Sequence, residues 1–198
     1  MSKKKGLKIG VVNMKGGVGK SVISLALSQH PKIDGNIITN DKYSLITEVF
    51  SEDIFLVENF DINLDCYEDL IVDFGGFIDS SMLNILDQMD YILVPTFSDS
   101  LSLKATLDTV EELRERYSNI IVIHNKATIE DNKVANFIQE YFENIPVIKV
   151  GASKLYKNAL NESVSAYDFA NKSNLNKYAY RKAIGSLNNL VNTLKGGN

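Results

Sequence analysis

The stretch Asn13-Met14-Lys15-Gly16-Gly17-Val18-Gly19-Lys20-Ser21 follows an apolar run from Leu7 to Val12. This order predicts a strand, a glycine-rich turn and the start of a helix, the geometry in which backbone N–H groups and a helix N-terminus surround a phosphate. The common phosphate-binding loop reads G-x-x-x-x-G-K-[ST], but Met14 stands at its first glycine position. The chain therefore carries a variant, K-G-G-x-G-K-S, with an additional lysine five residues before the usual one.

Two lysines and a serine give this loop its chemistry. We expect Lys20 to place its ammonium on the β- and γ-phosphates of a nucleotide, and Ser21 to offer its hydroxyl to Mg²⁺. Lys15 lies too early in the loop to duplicate Lys20, so we expect it to point away, toward a nucleotide held by a neighbouring subunit. Glycines allow close approach of the backbone at three positions: Gly16, Gly17 and Gly19.

A second candidate site is the segment Asp69-Leu70-Ile71-Val72-Asp73-Phe74-Gly75-Gly76. A buried strand that ends in an acid is the Walker-B arrangement, so we expect Asp73 to hold Mg²⁺ through water, because Mg²⁺ keeps much of its hydration shell. Gly75 and Gly76 are expected to form the hinge of a loop that senses the γ-phosphate.

The loop with its early lysine resembles the deviant Walker-A loop of the ParA/MinD family of dimeric ATPases. The resemblance covers nearly the whole chain and is strongest in residues 7–30 and 69–76. It implies ATP and Mg²⁺ as ligands, a homodimer in the ATP state, and catalytic roles for Lys15, which reaches across to the partner's ATP, and Lys20. By this resemblance the nucleotide contacts Lys15, Gly16, Gly17, Val18, Gly19, Lys20, Ser21 and Val22.

The residues after the second predicted strand depart from the family pattern. Where the family usually has Asp-x-Asp, which positions the attacking water and Mg²⁺, this chain reads Ile38-Thr39-Asn40-Asp41-Lys42. By spacing, Asn40 and Lys42 take the two acid positions. Either the loop shifts by one residue, so that Asp41 acts as the catalytic, water-positioning residue, or hydrolysis is weak. We therefore expect a slow ATPase.

A further candidate lies at the end of the strand predicted over residues 120–124. In the ParA/MinD family a residue at this location reads the edge of the adenine, and Asn125 has both a donor and an acceptor for that purpose. The preceding His124 is expected to pack or to face solvent, because phosphoryl transfer to water requires positioning rather than an imidazole base.

Strands and helices alternate along the whole chain, which predicts an α/β fold with a mainly parallel sheet and helices on both faces. Together with the resemblance, this alternation predicts a single P-loop ATPase domain over residues 1–198. The predicted strands are 7–12, 36–39, 54–57, 70–74, 91–94, 120–124 and 146–150. The predicted helices are 20–29, 43–50, 80–88, 102–117, 131–142, 154–160 and 177–194. In the last helix Ile184, Leu187, Val191 and Leu194 share one face.

Composition limits the class of protein. The single cysteine, Cys66, excludes a disulfide within the chain and favours a reducing, cytoplasmic location. No run approaches 18 apolar residues, so we expect no transmembrane helix, and the basic residues 1–5 lead into a strand rather than a signal peptide.

Charge is distributed unevenly. Residues 149–198 carry eight basic and two acidic residues, a net charge of +6 in a chain whose net charge is −4. Such a basic end is either a surface for an anionic polymer or a solvated helix face. The basic residues are Lys149, Lys154, Lys157, Lys172, Lys177, Arg181, Lys182 and Lys195.

The resemblance points first to DNA segregation. The chain starts almost at its first strand, so we expect it to lack an N-terminal DNA-binding extension, as in small plasmid-partition ATPases that work with a separate centromere-binding protein. The ATP-bound dimer is then expected to bind non-specific DNA on the nucleoid. Two alternatives remain: a MinD-like or cargo-positioning ATPase at a membrane, and an ATP-binding switch with little hydrolysis. Since the tail lacks Phe and Trp, we expect its apolar stripe to pack on the sheet rather than on a membrane.

Overall fold

Strands and helices alternate as the sequence predicts. The computed structural model describes residues 6–33, 35–41, 54–57, 63–76, 80–128 and 130–196. The strands are β1 (Lys8–Val11), β2 (Gly35–Thr39), β3 (Ile54–Leu56), β4 (Asp69–Asp73), β5 (Tyr91–Thr96), β6 (Ile120–Ala127) and β7 (Val147–Gly151). The helices are α1 (Lys20–Ser28), α2 (Ser80–Leu86), α3 (Ser100–Arg114), α4 (Lys133–Tyr141), α5 (Leu155–Asn161), α6 (Ala166–Asn171) and α7 (Asn174–Leu194). The helix predicted over residues 43–50, Lys42 and the basic residues 1–5 lie outside the described residues.

The seven described strands form one parallel sheet in the order β3-β2-β4-β1-β5-β6-β7. The central strand β1 pairs with β4 on one side and β5 on the other, while the chain itself passes from β1 to β2. Because all strands point the same way, the loops that follow β1, β2, β4, β5 and β6 meet at one edge of the sheet. In open α/β sheets this carboxyl edge is where ligands bind.

Apolar side chains cover both faces of the sheet, which confirms the predicted layers. One layer joins the strands to α1 and α7, and the other joins them to α2, α3 and α4. Three of the four stripe residues in the last helix, Leu187, Val191 and Leu194, are buried in the layer that covers the sheet, as expected, whereas the partly buried Ile184 packs against α5 and α6. None of the described helices is both long and apolar enough to cross a membrane.

Among the differences between the observed elements and the predicted ones, three have a local reason. Helix α3 begins two residues earlier, because the carboxylate of Asp99 accepts a hydrogen bond from the Ser102 N–H and caps it. Strand β6 continues to Ala127 through a bulge at Lys126, whose φ is 57°. Helix α6 was not predicted, since six residues are too few to show a periodic pattern.

Candidate functional site

The loop between β1 and α1 has the backbone geometry of a phosphate cradle. Gly19 is the N-cap of α1 with φ 94°, and Gly17 has φ 77°. A Cβ on Gly19 would lie 2.2 Å from the amide nitrogen of Asn125, whereas Cβ atoms on Gly16 or Gly17 would meet nothing within 4 Å. The N-cap of α1 makes no side-chain hydrogen bond. The N–H groups of the first turn and the positive end of the helix dipole are therefore presented to an anion.

Helix α3 fixes the entrance of this loop. The side chain of Asn13, fully buried, donates to the Pro95 carbonyl at 2.9 Å and to the Thr106 hydroxyl at 3.0 Å, and accepts from the Lys15 N–H at 2.8 Å. The Met14 N–H donates to Thr109 at 3.2 Å. Sequence reasoning missed these anchors. The only local signal was a polar asparagine directly after an apolar strand.

The loop encloses the ammonium group of Lys20. Its Nζ donates to the carbonyls of Asn13 at 3.1 Å and Lys15 at 3.3 Å. Burial lowers the pKa of Lys20, while the nearby carboxylates of Asp73 and Asp41 oppose that shift. Lys20 is thus a cation already desolvated inside the loop, the position from which it can neutralise phosphate charge.

Asp73, the last residue of β4, is buried without a hydrogen bond. It is 1% exposed, and neither carboxylate oxygen has a partner that meets hydrogen-bond geometry. Burial raises the pKa of Asp73 to about 6, although the Ser21 hydroxyl, Lys20 and the Ser24 hydroxyl pull it down. A desolvated carboxylate next to a hydroxyl is a donor set of the oxygen type that Mg²⁺ prefers.

Asp73 and Ser21 therefore fit an Mg²⁺ ion that is also held by phosphates. Among the described residues no group of three or more His, Cys, Asp or Glu side chains forms a metal cluster. Mg²⁺ commonly binds through one or two protein ligands together with waters and substrate phosphates, so the small donor set suits it.

The loop after β2 lies next to the loop after β4. The Gly75 N–H donates to Oδ1 of Asn40 at 2.6 Å, and Nδ2 of Asn40 reaches the Gly75 carbonyl at 3.4 Å. Asp41 acts electrostatically on both Lys20 and Asp73, which places its carboxylate in their neighbourhood. The amide of Asn40 is therefore engaged by backbone, and Asp41 is the acid of this loop whose carboxylate acts on Lys20 and Asp73.

Lys15 is held by its own chain. Its Nζ donates to the Ser102 hydroxyl at 2.8 Å and lies 3.3 Å from a carboxylate oxygen of Asp99. The hydroxyl and N–H of Ser102, with Lys15, lower the pKa of Asp99 to about 2. In the single chain the ammonium of Lys15 therefore contacts the start of α3, beside the capping carboxylate of Asp99, and its reach toward a neighbouring subunit stays a prediction.

Asn125 supports the loop rather than presenting free polar atoms. Its Nδ2 donates to the Val18 carbonyl at 3.1 Å, its Oδ1 accepts from the Lys126 N–H at 2.9 Å, and the residue is 7% exposed. Adenine recognition by Asn125 stays a prediction, for which the second amide N–H and the second lone pair of Oδ1 are not used by these two bonds. His124 is buried, and this burial lowers its pKa. Of the two expectations for His124, that it packs or that it faces solvent, the first is confirmed.

A cavity of about 510 Å³ opens beside the loop. Its walls include Val22 and Gly17 of the loop and α1, and the rings of Phe97 and Tyr156. The ammonium of Lys126 lies 4.7 Å from the centre of the Phe97 ring. This volume and mostly apolar lining are suited to a nucleobase and ribose placed next to a phosphate site.

Comparisons with known proteins support the fold. No family model and no curated protein matches the chain. Among solved structures, an McdA variant from Cyanothece in complex with ATP superimposes with a TM-score of 0.65 at 14% identity, covering 98% of this chain and 97% of that one. A ParA-family ATPase from Chlorobium tepidum gives 0.61 at 20% identity, covering 91% and 98%. MinD from Pyrococcus horikoshii, complexed with Mg-ADP, gives 0.62 at 12% identity, covering 96% and 98%.

These identities establish a shared architecture. The neighbours are ParA/MinD-family ATPases, two of them with an adenine nucleotide bound. The seven-stranded parallel sheet and its glycine-rich loop are thus those of the P-loop fold that the sequence predicted. The chain shares the fold of the ParA/MinD-family ATPases.

Proposed function

We propose that the chain is an Mg²⁺-dependent ATPase that dimerises when it binds ATP. The observation that carries this proposal is the buried carboxylate of Asp73, which has no hydrogen-bond partner and lies beside the desolvated Lys20 and the hydroxyl of Ser21. Burying such a charge is costly unless a cation compensates it. A nucleotide–Mg²⁺ complex supplies both the cation and the phosphates that Lys20 matches.

Each residue of the site has a role in this proposal. The N–H groups of residues 16–21 and Lys20 bind the phosphates, and Ser21 and Asp73 hold Mg²⁺, which supplies neutralisation of phosphate charge when bound. The cavity beside Gly17 takes the adenosine. Asp41 orients the attacking water. Since one acid serves where relatives have two, we expect hydrolysis to be slow, and stimulated by a partner.

The dimer requires Lys15 to change partners. In the single chain its ammonium contacts Asp99 and Ser102, both at the amino end of α3. In the ATP-bound dimer Lys15 reaches the phosphates of the other subunit. Lys15→Gln is therefore expected to preserve ATP binding and to lose the stable dimer.

The dimer is proposed to bind DNA without sequence preference. Lys177, Arg181 and Lys182 lie exposed near the start of α7, and Lys154 is exposed just before α5. Closing two subunits would join two such surfaces, and their affinity for phosphates should fall steeply with salt. The biological setting is then plasmid or cargo segregation in the cytoplasm, with nucleoid association in the ATP state and a separate centromere-binding protein.

One experiment separates this proposal from its rivals. The protein is mixed with ATP, ADP or no nucleotide, and its mass, DNA retardation at two salt concentrations, liposome pelleting and phosphate release are measured. ATP-dependent dimers and salt-sensitive DNA binding support the proposal. A protein that stays monomeric with ATP and releases no phosphate contradicts it, and liposome binding under ATP favours a MinD-like role instead.

A second candidate function is an ATP-binding switch with little turnover. The specific observation is that the side chain of Asn40 pairs with the Gly75 backbone. Among the described residues after β2, this leaves Asp41 as the acid that faces the site. ATP-dependent dimers without phosphate release in the same experiment favour this function.

A further inference from the structure

Two loops at the carboxyl edge are tied together by one side chain. Strands β2 and β4 are neighbours, with Thr39 opposite Asp73. The residues that follow them therefore run side by side. The Asn40 amide accepts from the Gly75 N–H at 2.6 Å and donates to the Gly75 carbonyl at 3.4 Å. A single amide thus pairs with both polar groups of one backbone residue, as an adjacent strand would.

The contact has no spare room. A Cβ on Gly75 would lie 2.9 Å from Cβ of Asp41 and 3.1 Å from Oδ1 of Asn40. On its other side, the Asp41 N–H donates to the Thr39 hydroxyl at 3.1 Å. Asp41 is therefore packed between the end of β2 and the loop after β4. A displacement of Gly75 toward Asp41 would therefore press on Asp41.

We propose that Asn40 is a positioning residue that couples the loop after Asp73 to Asp41. This inference rests on the proposed ATPase function and deepens it. When the loop at Gly75 and Gly76 adjusts to the γ-phosphate, the amide of Asn40 carries that movement to Asp41. An amide is required, because a carboxylate could accept from the Gly75 N–H but could not donate to its carbonyl.

The kinetic test uses Asn40→Ala with Asn119→Ala as a matched control. Asn119 also uses its amide to bind a backbone carbonyl, that of Met89 at 2.8 Å, but at the opposite edge of the sheet. Asn40→Ala is expected to lower kcat about tenfold, since small displacements of reacting groups have effects of this size, and to change the KM for ATP less than about threefold. Asn119→Ala should leave both constants within about twofold of wild type.

Hydrogen exchange gives a readout that activity does not. In the wild type, ATP should slow amide exchange in residues 39–41 and in residues 74–76. In Asn40→Ala the protection should persist in 74–76 and be lost in 39–41. Should Asn40→Ala not fold, Asn40→Leu keeps a side chain of similar size and shape but has no polar atom to bond Gly75, and the same loss is expected.

The outcomes separate this inference from the function on which it rests. An Asn40→Ala protein with wild-type kcat, or with protection retained in both segments, overturns the coupling while leaving the ATPase proposal intact. Equal losses in Asn40→Ala and Asn119→Ala assign Asn40 a merely structural role and also overturn it. A wild type that binds no ATP overturns the proposed function itself.

Discussion

Strand β4 begins and ends with an aspartate, and the two have opposite environments. Asp69 is 8% exposed; its carboxylate accepts from the Leu7 N–H at 2.8 Å and pairs with Lys195 at 2.5 Å. Asp73, four residues later, is more buried and neither of its oxygens has a hydrogen-bond partner. The same side chain on the same strand is thus satisfied by the protein at one edge of the sheet and left unsatisfied at the other.

The difference separates a structural edge, where the protein itself pairs its buried polar groups, from the edge that we propose as the binding edge. At the amino edge, Lys8 donates to the carbonyls of Tyr67 and Glu68, and the Lys8 N–H donates to Asp90. Buried polar groups are ordinarily paired in this way, and the unpaired carboxylate of Asp73 is where we propose that a ligand completes the structure. The comparison can be tested by changing each aspartate in turn.

The largest expected effect is a gain of stability when Asp73 loses its charge. Burial raises its pKa from the ordinary value of 3.8 to about 6, so ionised Asp73 destabilises the folded protein at neutral pH. Asp73→Asn should therefore increase the free energy of unfolding without Mg²⁺ by about 3 kcal/mol at pH 8. Urea unfolding at several pH values measures this.

The pH dependence provides the control for that prediction. For a carboxylate whose pKa is higher in the folded state, the destabilisation is complete above the folded pKa and disappears below the unfolded one. The advantage of Asp73→Asn should thus shrink as pH falls from about 6 to about 4. An advantage that is constant across this range would show that the charge of Asp73 is not its cause.

The next effect concerns Mg²⁺ itself. Asp73→Asn should raise the Mg²⁺ concentration needed for half-maximal ATP binding or hydrolysis about 10- to 100-fold. Asp69→Asn should leave that concentration unchanged. Titration of phosphate release with Mg²⁺ at saturating ATP measures both variants. Equal Mg²⁺ responses of the two variants would break the distinction between the two edges.

Asp69 should show the reverse pattern in stability. Asp69→Asn keeps an acceptor for the Leu7 N–H and loses the ion pair with Lys195, which links the end of α7 to the sheet. We expect a loss of about 1.5 kcal/mol in the free energy of unfolding, the usual size for a charged hydrogen bond that is partly buried. Denaturant unfolding at pH 7 measures it, and a gain of stability would contradict the structural role of this edge.

Contiguous signals explain why the centre of the site could be predicted. The glycines, Lys20 and Ser21 follow β1 directly, and Asp73 ends an apolar strand, so the pattern and the geometry are both local. The order of strands β4-β1-β5 then brings these loops together, and the sequence predicted only that the sheet is mainly parallel.

The partners of the site residues could not be predicted, because they are remote in sequence. Asn125 binds Val18 across 107 positions, Asn13 binds Thr106 across 93, and Lys15 meets Asp99 across 84. Such pairs depend on which strands become neighbours and where each helix begins. The type of a residue shows how many hydrogen bonds its side chain can donate and accept, but tertiary packing decides which groups become its partners.

The smallest expected effect tests the contact that holds Lys15 within its own chain. Asp99→Asn retains a good N-cap for α3 and removes the negative charge 3.3 Å from the Lys15 ammonium. Because Asp99 is exposed, the change should tighten ATP-dependent dimerisation by only about threefold at low salt, and less at high salt. Sedimentation with ATP at two salt concentrations measures this shift.

The cause can be checked by combining two changes. In a Lys15→Gln background the Asp99→Asn substitution should have no effect on the dimer, since the pair it weakens is already gone. A dimer that weakens in Asp99→Asn would mean that Asp99 acts in the dimer contact itself instead of competing for Lys15. The amino end of α3 would then belong with the binding edge that Asp73 defines.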